Sequence, residues 1–499
     1  MAKAQSVSPA FLGECDVVII GAGIIGAMIA RELSKLKGKF ALIEKEAFPG
    51  FGVSKASLSQ IHLPDFCPIG SLKGKLSANA PQRFKKLARE LDLHYREVGE
   101  IWLALKQEHI ENLWEAKKRG ESNGARGYEI IGPEKIRQLE PYVTKKAIAG
   151  LYAKEPGVLY TPEWTFALTE NAVQNGVSLY LGAAVTGIDK EDDHYYKVTT
   201  TRGQIRARYV INAAGLYSDE IAALLGDADI HLELRKGTML IFDKSVSSLV
   251  RHMLFGTFSE KHSQDIAPTA HGNLILGVHY VKPRNKKDTS VSRENIEETF
   301  KLGKELVPAL REKDMITSFS GILCTNNKAS DGDFYIAPSE HAPRAIHVLA
   351  GAPGLTAAPG IADMVIRLLV EQGLKAEEKK VFHTRKESFP RFESAPLSKK
   401  EKMIASNPKY GHIVCRCEQV TEAEVINAIK RGVDTMDGVK HLTRAGMGRC
   451  QGSFCGSSVL KYLANTLGIP ATKVTKKGAG SHHIVGYTKQ GGESGAGEC

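Results

Sequence analysis

Four cysteines near the end of the chain stand in a pattern suited to soft-metal chemistry. They lie in IVCRCEQVTEAEV, residues 413–425, and GRCQGSFCGSS, residues 448–458. Cys415 and Cys417 thus form a C-x-C pair, and after 32 residues Cys450 and Cys455 form a C-x4-C pair. Thiolates are soft ligands, so four together in a reducing compartment select zinc or an iron–sulfur cluster over disulfides. Structural zinc sites commonly use C-x2-C knuckles, and neither pair has that spacing. Between the pairs, TEAEVINAIKRG predicts a short amphipathic helix. Cys15, Cys67, Cys324 and Cys499 read as buried small hydrophobes or, at the tail, a free thiol.

A second chemistry-bearing stretch opens the chain. CDVVII, residues 15–20, predicts an apolar strand, and GAGIIG at 21–26 follows it at once. IIGAMIARELSKL then has helical spacing, and KFALIE predicts a second strand ending at Glu44. This is a βαβ unit. Gly21 permits the tight turn, Gly23 lets the amides of Ile24 and Ile25 approach a pyrophosphate, and Gly26 lets helix and strand pack closely. The helix N-terminus offers free N–H groups and a partial positive charge to that anion. Glu44, with Lys45 behind it, is placed to accept hydrogen bonds from a ribose. Such a unit suits either FAD or NAD. ARYVINAAGLYSD, residues 207–219, predicts a strand running into a small-residue turn, and AIHVLAGAPGLTAAPGIADMV, residues 345–365, a strand, a turn and a helix from about Leu355.

The elements that must hold these groups need a large chain. At 499 residues there is more than one compact core can use, and two or three domains are expected. A hydrophobic fraction of 42% and a charged fraction of 25% are those of a globular protein. The longest apolar run, Val17 to Ala30, holds three glycines and falls short of the ~20 residues a membrane span needs. No secretory signal precedes it, so the cytoplasm is the expected compartment, where thiols stay reduced. The formal charge of +11 suits an anionic substrate or an acidic partner. No stretch interleaves basic and aromatic residues as nucleic-acid stacking requires.

Taken in order, these segments resemble the FAD-dependent D-amino-acid oxidase and glycine oxidase superfamily, particularly its glycerol-3-phosphate dehydrogenase (anaerobic type) and L-2-hydroxyglutarate dehydrogenase branches. The likeness is carried by GAGIIGAMIARELSK, SKASLSQIH, GSLKGKL, AAGLYSD, RKGTMLIF and the late glycine turn. It implies an α/β protein: a Rossmann-type FAD-binding domain from residues 12–80, 150–225 and 330–384, interleaved with an α+β substrate domain from 81–149 and 226–329. A linker over 385–410, a small helical domain over 411–480 and a tail over 481–499 would follow. Besides the first glycine turn, the resemblance implies that Ser54, Lys55, Ala56, Val185, Ala214 and Gly215 line the cofactor. Gly351, Gly354, Leu355 and Thr356 would turn a helix N-terminus to the flavin pyrimidine. Only one strand–GxGxxG–helix unit is evident, which argues against a nicotinamide-dependent flavin reductase.

The cysteine module, with RAGMGRCQG ahead of the third cysteine, resembles bacterioferritin-associated-ferredoxin-like domains that bind a [2Fe-2S] cluster, with Arg416, Arg444 and Arg449 offsetting its charge. A flavin accepts a hydride and the cluster passes single electrons, so the expected oxidant is a redox partner protein or a membrane-linked carrier, within a hetero- or homo-oligomer. The resemblance places His62 close to the flavin, and PTAHGNLILGVHY, residues 268–280, puts His271 and His279 on a predicted strand; each is a candidate base for a substrate hydroxyl. The chain departs from the family at TSFSGILCTNN, residues 317–327. Relatives place an anion-clamping arginine two residues after this glycine, and here Leu323 follows Gly321 and Ile322. Arg235, Lys236 and Arg251 are the candidate replacements. The expected activity is a glycerol-3-phosphate-like dehydrogenase, with a 2-hydroxyacid or amine dehydrogenase, or a pure electron-transfer subunit, as alternatives.

Overall fold

The computed structural model describes residues 10–258, 262–384 and 389–486. The chain divides into two compact units, one ending at Ser388 and one beginning at Phe389. Among the described residues the first is built on two eight-stranded sheets, with a small three-stranded one of Gln60–Ile61, Gly157–Val158 and Arg96–Glu97.

The N-terminal strand, Phe11–Ile20, lies parallel to Phe40–Ile43 on one side and Gly203–Asn212 on the other. Val177–Tyr180 and Ala345–Leu349 extend this parallel core outward, and the antiparallel strands Val185–Lys190 and Tyr196–Thr200 complete one edge. A parallel sheet is covered on both faces, which is why its central strands are unbroken apolar runs. Val17 and Ile19 join a core with the helices Ile24–Leu33, Thr161–Gln174 and Gly354–Glu371. Val18 and Ile20 point the other way, onto Tyr196, Val198 and Ile221. The first helix stops at Leu33, short of the predicted Leu36, where the Lys35 and Leu36 N–H groups tighten onto the Glu32 and Leu33 carbonyls.

The second sheet is antiparallel over most of its width and draws its strands from two distant stretches of chain. Glu100–Ala104, Tyr128–Ile131 and Ala149–Ala153 come from the first stretch; Leu232–Phe242, Met253–Phe258, His262–Pro268, Leu274–Val281 and Met315–Asn326 come from the second. They join where Met253–Phe258 lies parallel to Glu100–Ala104. The domain edge drawn at 149/150 falls inside a strand, since Ala149–Ala153 pairs along its length with Glu100–Ala104. His271 is not on a strand. It sits in the turn between His262–Pro268 and Leu274–Val281, where Gly272 takes φ +86° and the Asn273 N–H bonds the Thr269 side chain.

The second unit is small and helical: Glu422–Lys430, Met436–Thr443 and Gly456–Leu467, with a two-stranded ribbon of Ile413–Cys415 and Val420–Thr421. Thr421 and Glu424 form a reciprocal capping box that starts the first of these helices. The stretch read as a linker, 385–410, departs from that reading. Residues 385–388 lie outside the described residues, and Leu397–Ser406 is a helix. The Phe392 N–H donates to Glu424, and the Phe392 ring stacks on Tyr410, so this polar stretch lies on the second unit. Of the predicted tail, residues 487–499 are likewise outside the described residues. Among the described residues no helix is long and apolar enough to cross a membrane.

Candidate active site

The glycine turn has the shape of a phosphate cradle. Gly21 adopts φ +105°, and a Cβ there would lie 2.5 Å from the Ala213 carbonyl oxygen, so the turns at 21 and 213–214 abut. A Cβ on Gly26 would lie 1.9 Å from the Gly21 carbonyl oxygen. Gly23 differs: its nearest neighbour would be the Ser54 hydroxyl at 3.3 Å, which leaves room beside the helix N-terminus. The Ile24 N–H donates to that Ser54 hydroxyl at 3.0 Å, so Ser54 already sits where an anion's oxygen is wanted. Ser54, Lys55 and Ala56 form a short 3₁₀ turn, and the Lys55 ammonium lies over the Phe51 ring.

Glu44 is buried and accepts from the N–H groups of Ala22 and Glu46. Burial pushes its carboxyl up from the ordinary range, against the pull of these two amides. A carboxylate has about four acceptor sites, so a ribose hydroxyl can still be taken. Lys45 pairs with Glu46 and lies over the Tyr217 ring, just after Ala214 and Gly215. Val185 opens the strand that follows Ala183, whose N–H bonds the Glu44 carbonyl. At the other end, the Gly354 N–H bonds the Gly351 carbonyl, and a Cβ on Gly354 would touch Ile25, bringing the N-termini of two helices together. These open, amide-lined spaces fit an elongated dinucleotide with its anion at the glycine turn.

His62 is where the late helix Gly354–Glu371 meets the second sheet. Its backbone N–H donates to the Thr356 hydroxyl in the first turn of the late helix, and its ring Nδ1 lies 3.4 Å from Glu100 Oε2. Phe66 and Phe255 flank the ring. Burial holds the imidazole below its ordinary value, so it stands neutral and able to take a proton. The other two candidate histidines are elsewhere. His271 packs against His94 and Tyr160. His279 stands across from Thr238 and His262. Three buried acids that sequence reasoning missed surround His62: Asp65, Glu100 and Asp265. The available signal was an acid inside an apolar strand, as in VGEIWLAL.

The missing arginine has a neighbour in register. Arg235 pairs directly with Leu323 across the antiparallel strands, as Gly237 does with Gly321. Residues paired this way share a face. A Cβ on Gly321 would strike the Ala56 carbonyl oxygen, so this face is turned to the cofactor segment. Arg235 is exposed and, among the described residues, makes no hydrogen bond or ion pair; its charge is felt at Tyr280, which also feels Asp265. Lys236 points to the opposite face, where it is buried against Asp288 at 3.1 Å and donates to Ser290. The backbone N–H of Arg251 is taken by buried Glu140.

In the second unit the four thiols come together as two pairs. Cys417 and Cys450 sulfurs are 3.7 Å apart, and Cys415 is hydrogen-bonded to Cys455. That bond, with amide donors from Gly446 and Glu418, holds the Cys415 thiol down at about 6. Two thiols per metal is the arrangement a two-iron cluster needs. Gly448 permits it, since a Cβ there would lie 2.1 Å from that of Cys417. Arg444, expected to offset cluster charge, is instead paired with buried Glu418 at 2.8 Å.

Comparison with known proteins bears on both units. The family model described as FAD dependent oxidoreductase (DAO) matches residues 16–368, and the BFD-like [2Fe-2S] binding domain matches 413–465. The chain is 36% identical to a glycerol 3-phosphate dehydrogenase of Caloramator mitchellensis, over 95% of this chain and 99% of that one. It is 28% identical to a glycerol 3-phosphate oxidase of Mycoplasma genitalium, over 71% and 94%. The solved L-alpha-glycerophosphate oxidase of Mycoplasma pneumoniae with FAD bound superposes with a TM-score of 0.70 at 26% identity, covering 75% of this chain and 98% of that one.

Proposed function

From a chain that belongs to the FAD dependent oxidoreductase family and carries a BFD-like [2Fe-2S] domain, we propose that it is a dehydrogenase for a small hydroxylated anion of the glycerol 3-phosphate kind. FAD supplies the hydride acceptor when bound. His62 takes the proton of the substrate hydroxyl. Cys415, Cys417, Cys450 and Cys455 would hold the [2Fe-2S] cluster, which would supply one-electron transfer to an acceptor. The observation that carries this reading is the junction at His62, a neutral buried base held between the first turn of the late helix and the substrate sheet. Similarity to a glycerol 3-phosphate dehydrogenase along almost the whole chain supports the substrate class.

Arg235 supplies the anion clamp that Leu323 does not. The acceptor is read as an acidic redox protein in the cytoplasm, because residues 389–499 hold 16 Lys and Arg against 9 Asp and Glu, or +7 of the chain's +11.

Anaerobic titration of the purified holoprotein with glycerol 3-phosphate tests the whole reading. Both the flavin and the iron–sulfur absorption should bleach. Bleaching by 2-hydroxyacids or amines alone would move the substrate class, and no bleaching by any of the three would leave an electron-transfer subunit. Arg235→Ala should raise the KM for glycerol 3-phosphate roughly ten- to a hundredfold, the equivalent of about 1.5–3 kcal/mol for hydrogen bonds to a charged group. Lys236→Met, which breaks an ion pair on the far face, should not change KM in that way. An unchanged KM in Arg235→Ala would show that the anion is held elsewhere.

A further inference from the structure

Behind His62 lies a group of acids that ordinary packing does not explain. Glu100 opens the strand Glu100–Ala104, Asp65 lies in the short turn Pro64–Phe66, and both are 1% exposed. Their side chains face each other. Yet both Asp65 oxygens and Glu100 Oε1 lack a well-aligned hydrogen bond, as do the neighbouring Trp102 indole N–H and Tyr128 hydroxyl. A buried polar atom left unpaired costs about 1–3 kcal/mol, so five around one point are unusual. The cation beside them, Arg119, donates its Nε to the Asp65 backbone carbonyl, and its charge lowers Asp65 less than burial and Glu100 raise it. Asp265, the third acid, is tied to the Gln60 amide at 2.9 Å.

We propose that Glu100, supported by Asp65, is the proton acceptor behind His62, so that these three residues form a relay leading inward from the substrate. The inference rests on the reading of His62 as the base. In the step, the substrate O–H bond breaks and its proton joins one ring nitrogen of His62. FAD, when bound, would be the acceptor for the hydride of the neighbouring C–H. The Nδ1 proton of His62 passes to Glu100 Oε2, 3.4 Å away, and the imidazole is neutral again. Asp65 keeps its own proton and steadies the Glu100 carboxylate by directing that O–H at it. Glu100 acts through His62 and is a positioning and relay residue.

The electrostatics agree with this division. Burial pushes Glu100 up to about 8, partly offset by the facing Asp65 carboxyl and the Leu63 amide. Burial, and then the Glu100 charge, hold Asp65 well above its ordinary range, so it keeps its proton. The other groups facing the pair are His62, held low by burial, Asp265, pushed up to about 7, Arg119, and Tyr128, Tyr95 and Cys67, all three pushed up by burial. Because the acceptor must be ionised, kcat/KM should rise with pH through a limb near 8, above any limb that His62 or Asp265 could supply.

The test uses the holoprotein and two readouts. In Glu100→Gln the limb near 8 should vanish and kcat fall about tenfold or more. Asp65→Asn, whose amide is a weaker donor, should keep the limb but move it to higher pH. Independently of turnover, infrared titration of wild-type protein should show a carboxyl C=O band that disappears near pH 8 and is absent from Glu100→Gln. Absence of that band would overturn the relay even if glycerol 3-phosphate is oxidised. Its presence with no turnover of any substrate would leave the carboxyl pair established and remove the assigned reaction. A limb near 8 that survives in Glu100→Gln would also overturn the proposal.

Discussion

Gly26→Ala is expected to yield protein without FAD. The added methyl would sit 1.9 Å from the Gly21 carbonyl oxygen. Gly21 has no slack to offer: its φ of +105° already favours glycine, and it is pressed against the Ala213 carbonyl on the other side. The helix Ile24–Leu33 must therefore move off the sheet, away from a core that includes Ile19, Leu42 and Ile361. Forced overpacking of this kind costs typically about 1–3 kcal/mol, and here it also displaces the amides that receive the anion. Gly52→Ala is the matched control, since nothing lies within 4 Å of its Cβ. The measurement is flavin released per chain on denaturation. One FAD per chain in Gly26→Ala would show that close helix–strand contact is not what the cradle depends on.

His62→Asn should leave the flavin in place and slow its reduction by roughly 10²–10⁴-fold, the usual contribution of a positioned acid or base. The backbone N–H bond to Thr356 survives the change, and the ring's contacts with Phe66 and Phe255 are edge or tilted contacts that an amide can replace in part. Stopped-flow flavin bleaching under saturating substrate reads the step directly. Because burial lowers the folded-state value of His62 below 6.5, the neutral base persists to lower pH than a free imidazole would allow. The wild-type rate should therefore not show a histidine limb above that point. A loss of less than about tenfold would move the base to another residue.

The difference between what could be read from residue order and what could not is physical. The glycine turn was legible because Gly21, Gly23 and Gly26 meet a local constraint within one βαβ unit, and the structure shows the same three positions with three different surroundings. The four cysteines drew attention because soft ligands in close spacing have few other uses, and they lie as the pairs Cys417–Cys450 and Cys415–Cys455. The strand carrying His279 was anticipated, but His271 sits in a turn whose bend depends on Thr269 and Gly272. Glu100, Asp65 and Asp265 could not be found that way. They are 35, 165 and 200 residues apart in sequence, taken pairwise, and only the pairing of the strands of Glu100 and Asp265 with Met253–Phe258 between them, and the turn Pro64–Phe66 packed beside them, bring them to one imidazole. The relation of Arg235 to Leu323 is likewise a matter of register, which one strand's sequence does not contain.

That pairing also sets a timetable. Glu100–Ala104 finds its parallel neighbour only in Met253–Phe258. During synthesis the first half of the substrate sheet must wait for about 150 further residues, or roughly 8–30 s at ordinary translation rates of 5–20 residues per second. Through that interval the apolar stretch IWLA presents an unpaired edge, the kind of surface on which nascent chains associate wrongly. Yield in a heterologous host should therefore respond to chaperone supply and to growth temperature more than to any change in the glycine turn, whose βαβ unit is complete once residue 44 has emerged.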